Sequence, residues 1–372
     1  MITLLLGLAL PSSVLAAMYV YSLFEPLEAH KTGRHPLDVV AGDINSDGLN
    51  DVVTANRDGA SLSIFMGNGD GTLTEINPVQ LKQGATSLAL GDLSGDKIPD
   101  VALTACDAYC NHNGVLILRG LGDGRFERET YIPVDGVPYN LAIADLNADG
   151  SLDMVASDAP NDRIIILLRI GSGWEFSAEH SPTGDQPIAL TLGDVNHDGI
   201  PDLMANAHWD DVVTLHIMSA HGAVERIVEI PTEDLPYSIA LGLINQDDHA
   251  DLIVGHSSEP GRILIFYGNG QGEFERAQEI ETVGRLIYVA SGDFNLDGRT
   301  DLIATRHKET FTSVYLQDQQ GRFEIKPFSL PSSNRIYSLA LTELNGDEIP
   351  DLVTVDYEDD ALSVSIGAAA EP

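Results

Sequence analysis

Apolar residues along this chain fall into short runs separated by polar, glycine-rich and aspartate-rich segments, and the runs recur in a fixed order. One run precedes each aspartate-rich segment, as in SLALG (87–91), NLAIA (140–144) and SIALG (238–242). A second, rich in β-formers, follows it, as in DVVTA (51–55), DLMANA (202–207) and DLIVG (251–255). A third comes next, as in LSIFMG (62–67), RIIILL (163–168) and RILIFYG (262–268). Turns such as GNGDG (67–71) and GNGQG (268–272) then lead to a fourth run opening near Leu73, Phe126, Phe176, Val224, Phe274 or Phe323. Tight Asx-Gly turns between β-formers join antiparallel neighbours. No helical period competes with this pattern, so the repeating unit reads as a four-stranded meander.

The unit occurs seven times. Its marker segments are DINSDGLND (43–51), DLSGDKIPD (92–100), DLNADGSLD (145–153), DVNHDGIPD (194–202), LINQDDHAD (243–251), DFNLDGRTD (293–301) and ELNGDEIPD (343–351). Successive starts lie 49, 53, 49, 49, 50 and 50 residues apart, and the long interval holds an inserted CDAYC loop. Seven four-stranded units of this length predict an all-β, seven-bladed propeller. The ends of the chain predict closure. Residues 24–30 read as a fourth strand with no blade before it, and the last repeat stops before reaching a fourth strand of its own. The amino-terminal strand is therefore expected to complete the last blade, which removes the open edges. Residues 18–372 form a single domain on this reading.

Six of the seven markers place oxygen-bearing side chains at positions 1, 3, 5 and 9 of a nine-residue loop, and the fifth does so at positions 3, 5 and 9. They are Asp43, Asn45, Asp47 and Asp51; Asp92, Ser94, Asp96 and Asp100; Asp145, Asn147, Asp149 and Asp153; and Asp194, Asn196, Asp198 and Asp202. The later loops carry Asn245, Asp247 and Asp251; Asp293, Asn295, Asp297 and Asp301; and Glu343, Asn345, Asp347 and Asp351. Position 7, such as Leu49, can add a main-chain carbonyl. Hard oxygen donors without His or Cys, with glycine at position 6, suit Ca²⁺. The competing use of such residues is an Asx-turn bonded to its own backbone. Loop 243 opens with Leu243, and loops 92, 243 and 343 lack glycine at position 6, so these three are the weaker sites.

Charge and composition sharpen the picture. With 20 basic and 57 acidic residues, the net charge of −37 disfavours nucleic acid and anionic membrane surfaces as partners. No nucleotide-binding, HExxH or G-x-S-x-G motif occurs, so no catalytic residue is assigned. Residues 1–17, MITLLLGLALPSSVLAA, read as a cleavable signal peptide that would place the body outside the cytoplasm, secreted, periplasmic or at the cell surface. Membrane association follows only if that segment is retained. In such a compartment Cys106 and Cys110 would form a small-loop disulfide, with free thiols as the alternative.

These loops, with the hydrophobic runs after them, resemble the FG-GAP/VCBS repeat proteins, related in architecture to the amino-terminal propeller of integrin alpha chains. The resemblance spans residues 24–366. It implies that the loop between the first two strands of each blade holds calcium, through Asp43, Asn45, Asp47 and Asp51 and their equivalents. Members include adhesion modules, lectin-like domains and parts of polysaccharide-acting enzymes. The expected function is a calcium-stabilised binding or adhesion module for a glycan or an extracellular protein. A carbohydrate-active lyase or hydrolase and a structural subunit of an envelope assembly are the alternatives.

The topology puts the second-to-third strand turns and the blade connections at the end opposite the aspartate-rich loops. Tyr139, Tyr237 and Tyr337 each lie six residues before their loop, at that end of the innermost strand. With Arg163, His208, Trp209, Arg285 and Arg335 nearby, they are the candidate ligand face, the competing reading being that the tyrosines plug the axial channel or pack between blades.

Overall fold

The computed structural model describes residues 23–106, 113–127, 130–171, 173–245, 247–306, 311–329 and 335–368. Residues 1–17, the expected signal peptide, and the expected Cys106–Cys110 disulfide lie outside what it describes. Seven four-stranded antiparallel sheets follow one another as blades. Blade 1 comprises Pro36–Gly42, Asp51–Asn56, Ser61–Gly67 and Leu73–Gln80, innermost strand first. Blades 2 to 6 repeat this order, beginning at Gly84, Leu141, Leu190, Pro236 and Leu286.

Blade 7 contains Ile336–Thr342, Asp351–Asp356 and Ala361–Gly367, and its outer strand is Phe24–Lys31 from the other end of the chain. Phe24 sits opposite Gly367 and Lys31 opposite Ala361. The expected closure is therefore present. One element is shorter than the pattern predicts: the fourth strand of blade 2 is Thr130–Pro133, and Phe126 makes only an isolated bridge with Gly120.

Burial follows position in the blade. Second strands are buried at every residue described, because each lies inside its own sheet and between two neighbouring blades. Outer strands alternate or face solvent, as in Phe24–Lys31 and Val224–Pro231. The core consists of apolar layers between blades. Val53, Leu62 and Ile64 of blade 1 meet Leu88, Val101 and Leu103 of blade 2. Leu23 and Phe24 join Ile336, Leu339 and Leu352 of blade 7 to Phe294 and Ile303 of blade 6, with the Phe24 and Phe294 rings edge-on at 5.7 Å.

Polar side chains stitch the innermost strands together. The half-buried Asp38 carboxylate accepts from the Ser87 hydroxyl at 2.9 Å, the Leu88 amide at 2.8 Å and, across the closure, the Ser338 hydroxyl at 2.8 Å. Ser87 accepts the Leu141 amide at 3.2 Å, Asn140 the Leu190 amide at 3.2 Å, and Ser238 the Val289 amide at 3.0 Å. All of these acceptors lie five residues before an aspartate-rich loop. Burial raises the Asp38 pKa above the ordinary carboxylate value, against the opposing pull of its donors.

Two ends of the ring as candidate sites

The aspartate-rich loops join first to second strands at one end of the ring. Their backbone alternates into the left-handed region: in blade 1, Ser46 has φ 62° and Gly48 φ 88°. Blades 2 and 7 carry their glycine at position 4, as Gly95 and Gly346, while Lys97 and Glu348 hold φ of 70° and 69° at position 6. The missing glycine has moved, and the loop shape is kept.

Within blade 1, Asp43 accepts the Asp47 amide at 3.1 Å and the Gly48 amide at 2.9 Å. Asn45 accepts the Asp47 amide at 2.8 Å, and Asp47 accepts the Leu49 amide at 2.9 Å. Loops 145, 194 and 293 repeat these bonds through Asp145, Asn147 and Asp149, through Asp194, Asn196 and Asp198, and through Asp293, Asn295 and Asp297. In loop 92, Asp92 instead accepts three successive amides, from Gly95 to Lys97. Loops 243 and 343 keep the position 3 and 5 bonds through Asn245, Asp247, Asn345 and Asp347, and Glu343 accepts the Asn345 amide. Leu243 is exposed.

Position 9 has a further task. Asp51 is fully buried, and one oxygen accepts the Ile44 amide at 3.0 Å while the other accepts the Gly67 amide at 2.9 Å, tying the loop to the end of the third strand. Asp153, Asp202, Asp251, Asp301 and Asp351 make the same bridge, and Asp100 makes it through the Ser94 amide at position 3. Burial pushes Asp51 up to about 6 and Asp301 up to about 7, and the acids at positions 5 and 1 add to the rise. Position 2 is apolar and buried in every loop, from Ile44 to Leu344.

The donor chemistry suits a hard divalent cation, with two carboxylates and a carboxamide on alternate residues of loops 43, 145, 194 and 293. Among the described residues no three acidic, His or Cys side chains form a ready-made metal cage. Two loops also carry a guanidinium: Arg119 pairs with Asp96 at 2.7 Å, and Arg299 pairs with Asp297.

At the opposite end, the innermost strands enclose an axial cavity of about 280 Å³ whose walls include Tyr139, Tyr237, Tyr288 and Tyr337. Burial raises Tyr237 and Tyr288 to about 12, so both phenols stay protonated and can donate. The Tyr139 pKa rises too, through burial and then the facing Tyr337 and Tyr237 phenols. A second pocket of about 230 Å³ shares Tyr237, Ile287 and Tyr337 with the cavity and adds His208, Ser257, Arg285 and Arg335.

Five of the eight sequence-selected face residues thus line one pocket. Trp209, 55% exposed, stands beside it with its ring 4.6 Å from His208. Tyr139 faces the axial cavity. Arg163 is committed elsewhere, to the buried Asp158 at 2.8 Å and to the Asp135 carbonyl.

Sequence reasoning missed Tyr357. Its ring stacks on His35 at 4.3 Å, lies under the Arg335 guanidinium at 5.3 Å, and its hydroxyl accepts from Arg57 at 2.7 Å. It sits in a second-to-third strand turn and carries no spacing signal. Asp38 and its polar equivalents were also missed, although their fixed offset was readable.

Comparison with known proteins agrees with this architecture. A crystal structure described as BBS1N in complex with ARL6DN, soaked with lead, superposes with a TM-score of 0.66 at 14% identity, over 94% of this chain and 99% of that one. A functionally unknown protein from Desulfotomaculum acetoxidans DSM 771 gives a TM-score of 0.57 at 11% identity, over 80% and 90% of the two chains. At these identities the likeness concerns the fold. No curated protein matches the chain. The family described as FG-GAP-like repeat matches residues 43–103, 145–205, 244–304 and 293–354, which together span more than half of the sequence. With the repeated loops and the closed ring on which they sit, this chain belongs to the FG-GAP-like repeat family.

Proposed function

We propose that the protein is a non-catalytic, calcium-stabilised binding module working outside the cytoplasm, which takes a glycan or protein ligand at the end opposite its aspartate-rich loops. The observation that carries this reading is the convergence of His208, Tyr237, Arg285, Arg335 and Tyr337, from four blades, on one pocket. Aromatic faces beside guanidinium groups provide flat apolar surface and fixed hydrogen-bond donors, as binding sites require. A propeller of the same fold is described in complex with another protein, which supports a binding role.

Calcium enters through the other end. Oxygens at positions 1, 3 and 5 of loops 43, 145, 194 and 293 would hold it, and bound cations would relieve the repulsion among their carboxylates. Four such ions would reduce the net charge of −37 to about −29. The extracytoplasmic location rests on residues 1–17 alone.

A glycan and protein array probed with and without calcium tests the binding role. Ligands should be lost in Tyr337→Ala and Trp209→Ala and retained in Asp70→Ala, at the opposite end. Ligands indifferent to both face variants would overturn it.

A further inference from the structure

The pocket brings the guanidinium groups of Arg285 and Arg335 together beside His208, on a molecule of net charge −37. Among the described residues, its guanidinium groups are weakly neutralised. Arg285 is 3.8 Å from Glu259, and both side chains are largely exposed. Arg335 is 3.5 Å from Glu358, and its Nε is buried without a hydrogen-bond partner. Contacts of that length are beyond a normal charge-assisted hydrogen bond. Arg57, by contrast, is bound to Asp58 at 2.9 Å and is not available. The Arg335 guanidinium is held 5.1 Å over the Tyr337 ring and 5.3 Å over Tyr357, which fixes its plane beside the pocket. His208 Nδ1 donates to the Pro236 carbonyl at 3.0 Å, which leaves Nε2 as the other polar atom of that ring.

Resting on the reading that this end is the ligand face, we propose that the pocket captures a single carboxylate, an Asp or Glu side chain or a chain terminus, on a peptide segment that is otherwise neutral or basic. A guanidinium meets a carboxylate with two parallel hydrogen bonds, and Arg285 and Arg335 hold the unspent donors. Tyr237 and Tyr337 supply the apolar walls for the flanking residues. The long-range field selects the rest of the partner. A surface this acidic repels a polyanion before contact, so a polyuronate or sulfated glycan is disfavoured, whereas a neutral or basic protein carrying one acid is drawn in.

Selection of a random peptide display library on the folded protein tests this, with enriched sequences compared for wild type, Arg335→Gln and Arg285→Gln. Arg285 is exposed, so that variant leaves the fold intact, and matched melting curves check both. The expected result is enrichment of peptides with one acidic residue and no net negative charge. Their affinity should fall at least about ten-fold in each variant, the loss expected for a charge-assisted bond. Peptides enriched without acids, yet lost in Trp209→Ala, would overturn the carboxylate inference and leave the ligand face standing. Peptides indifferent to all three variants, or no enrichment, would remove both. Arg-dependent capture of oligogalacturonate in place of peptides would show that the partner class is wrong.

Discussion

Lys97 shows how much a single residue can reveal about these loops. It occupies the left-handed position that Gly48, Gly150, Gly199 and Gly298 fill elsewhere, with φ of 70°. A side chain in that region costs about 1–2 kcal/mol, and glycine recovers part of it against its own entropy. Lys97→Gly should therefore stabilise the protein by about 0.5–1 kcal/mol in denaturant unfolding, while Gly48→Ala should destabilise it by a similar amount or more. A second residue sets a pH dependence. His216 is fully buried, bonded to the Ser181 hydroxyl at 2.8 Å, and desolvation holds its pKa down to about 4 from 6.5. The unfolded chain takes up this proton first as pH falls, so stability is lost from pH 6.5 down toward 4. Asp51 and Asp301, raised by burial, act in the opposite direction, because the folded state binds their protons first. Comparison with His216→Gln isolates the histidine: between pH 7 and 5 wild type should lose about 2 kcal/mol relative to the variant. Parallel pH profiles would contradict the assignment.

At the scale of the element, the nine-residue loop was legible as a repeated object, and its division of labour was not. Spacing alone marks positions 1, 3, 5 and 9 as oxygen donors. Only the fold shows that Asp51 and its equivalents bridge the loop to the third strand, because that bond joins residues 16 positions apart. The apolar position 2, Ile44 in blade 1, was visible in all seven repeats but gains meaning only as the buried anchor whose amide that Asp accepts. Side chains from outside the marker escape a motif reading in the same way, as with Arg119 reaching Asp96 from 23 residues away. Where a guanidinium already neutralises position 5, a metal must compete with it. Arg299→Gln should therefore tighten calcium binding at blade 6, which keeps a full donor set, and titration calorimetry should show a weak binding step becoming stronger. An unchanged titration would mean that Arg299 does not occupy the charge that calcium would take.

Across the whole molecule, blade number, strand order and closure were readable from one period and two incomplete ends. Repeats encode contacts between neighbouring units, so the sequence pattern carries the ring. The end that carries the pocket is less legible, since it is assembled from single residues on different blades that no spacing links: Tyr237 and Tyr337 shared an offset, whereas Tyr357 did not. On this account the two ends divide the work, one steadying the ring through calcium and the other presenting the pocket. The direct test is to count bound calcium per chain and record the melting curve before and after verified chelation, in protein prepared with ample calcium. The account predicts calcium in the loops of blades 1, 3 and 4 at least, and a melting temperature that falls by several degrees when it is removed. Protein that carries no calcium and melts at the same temperature throughout would contradict it.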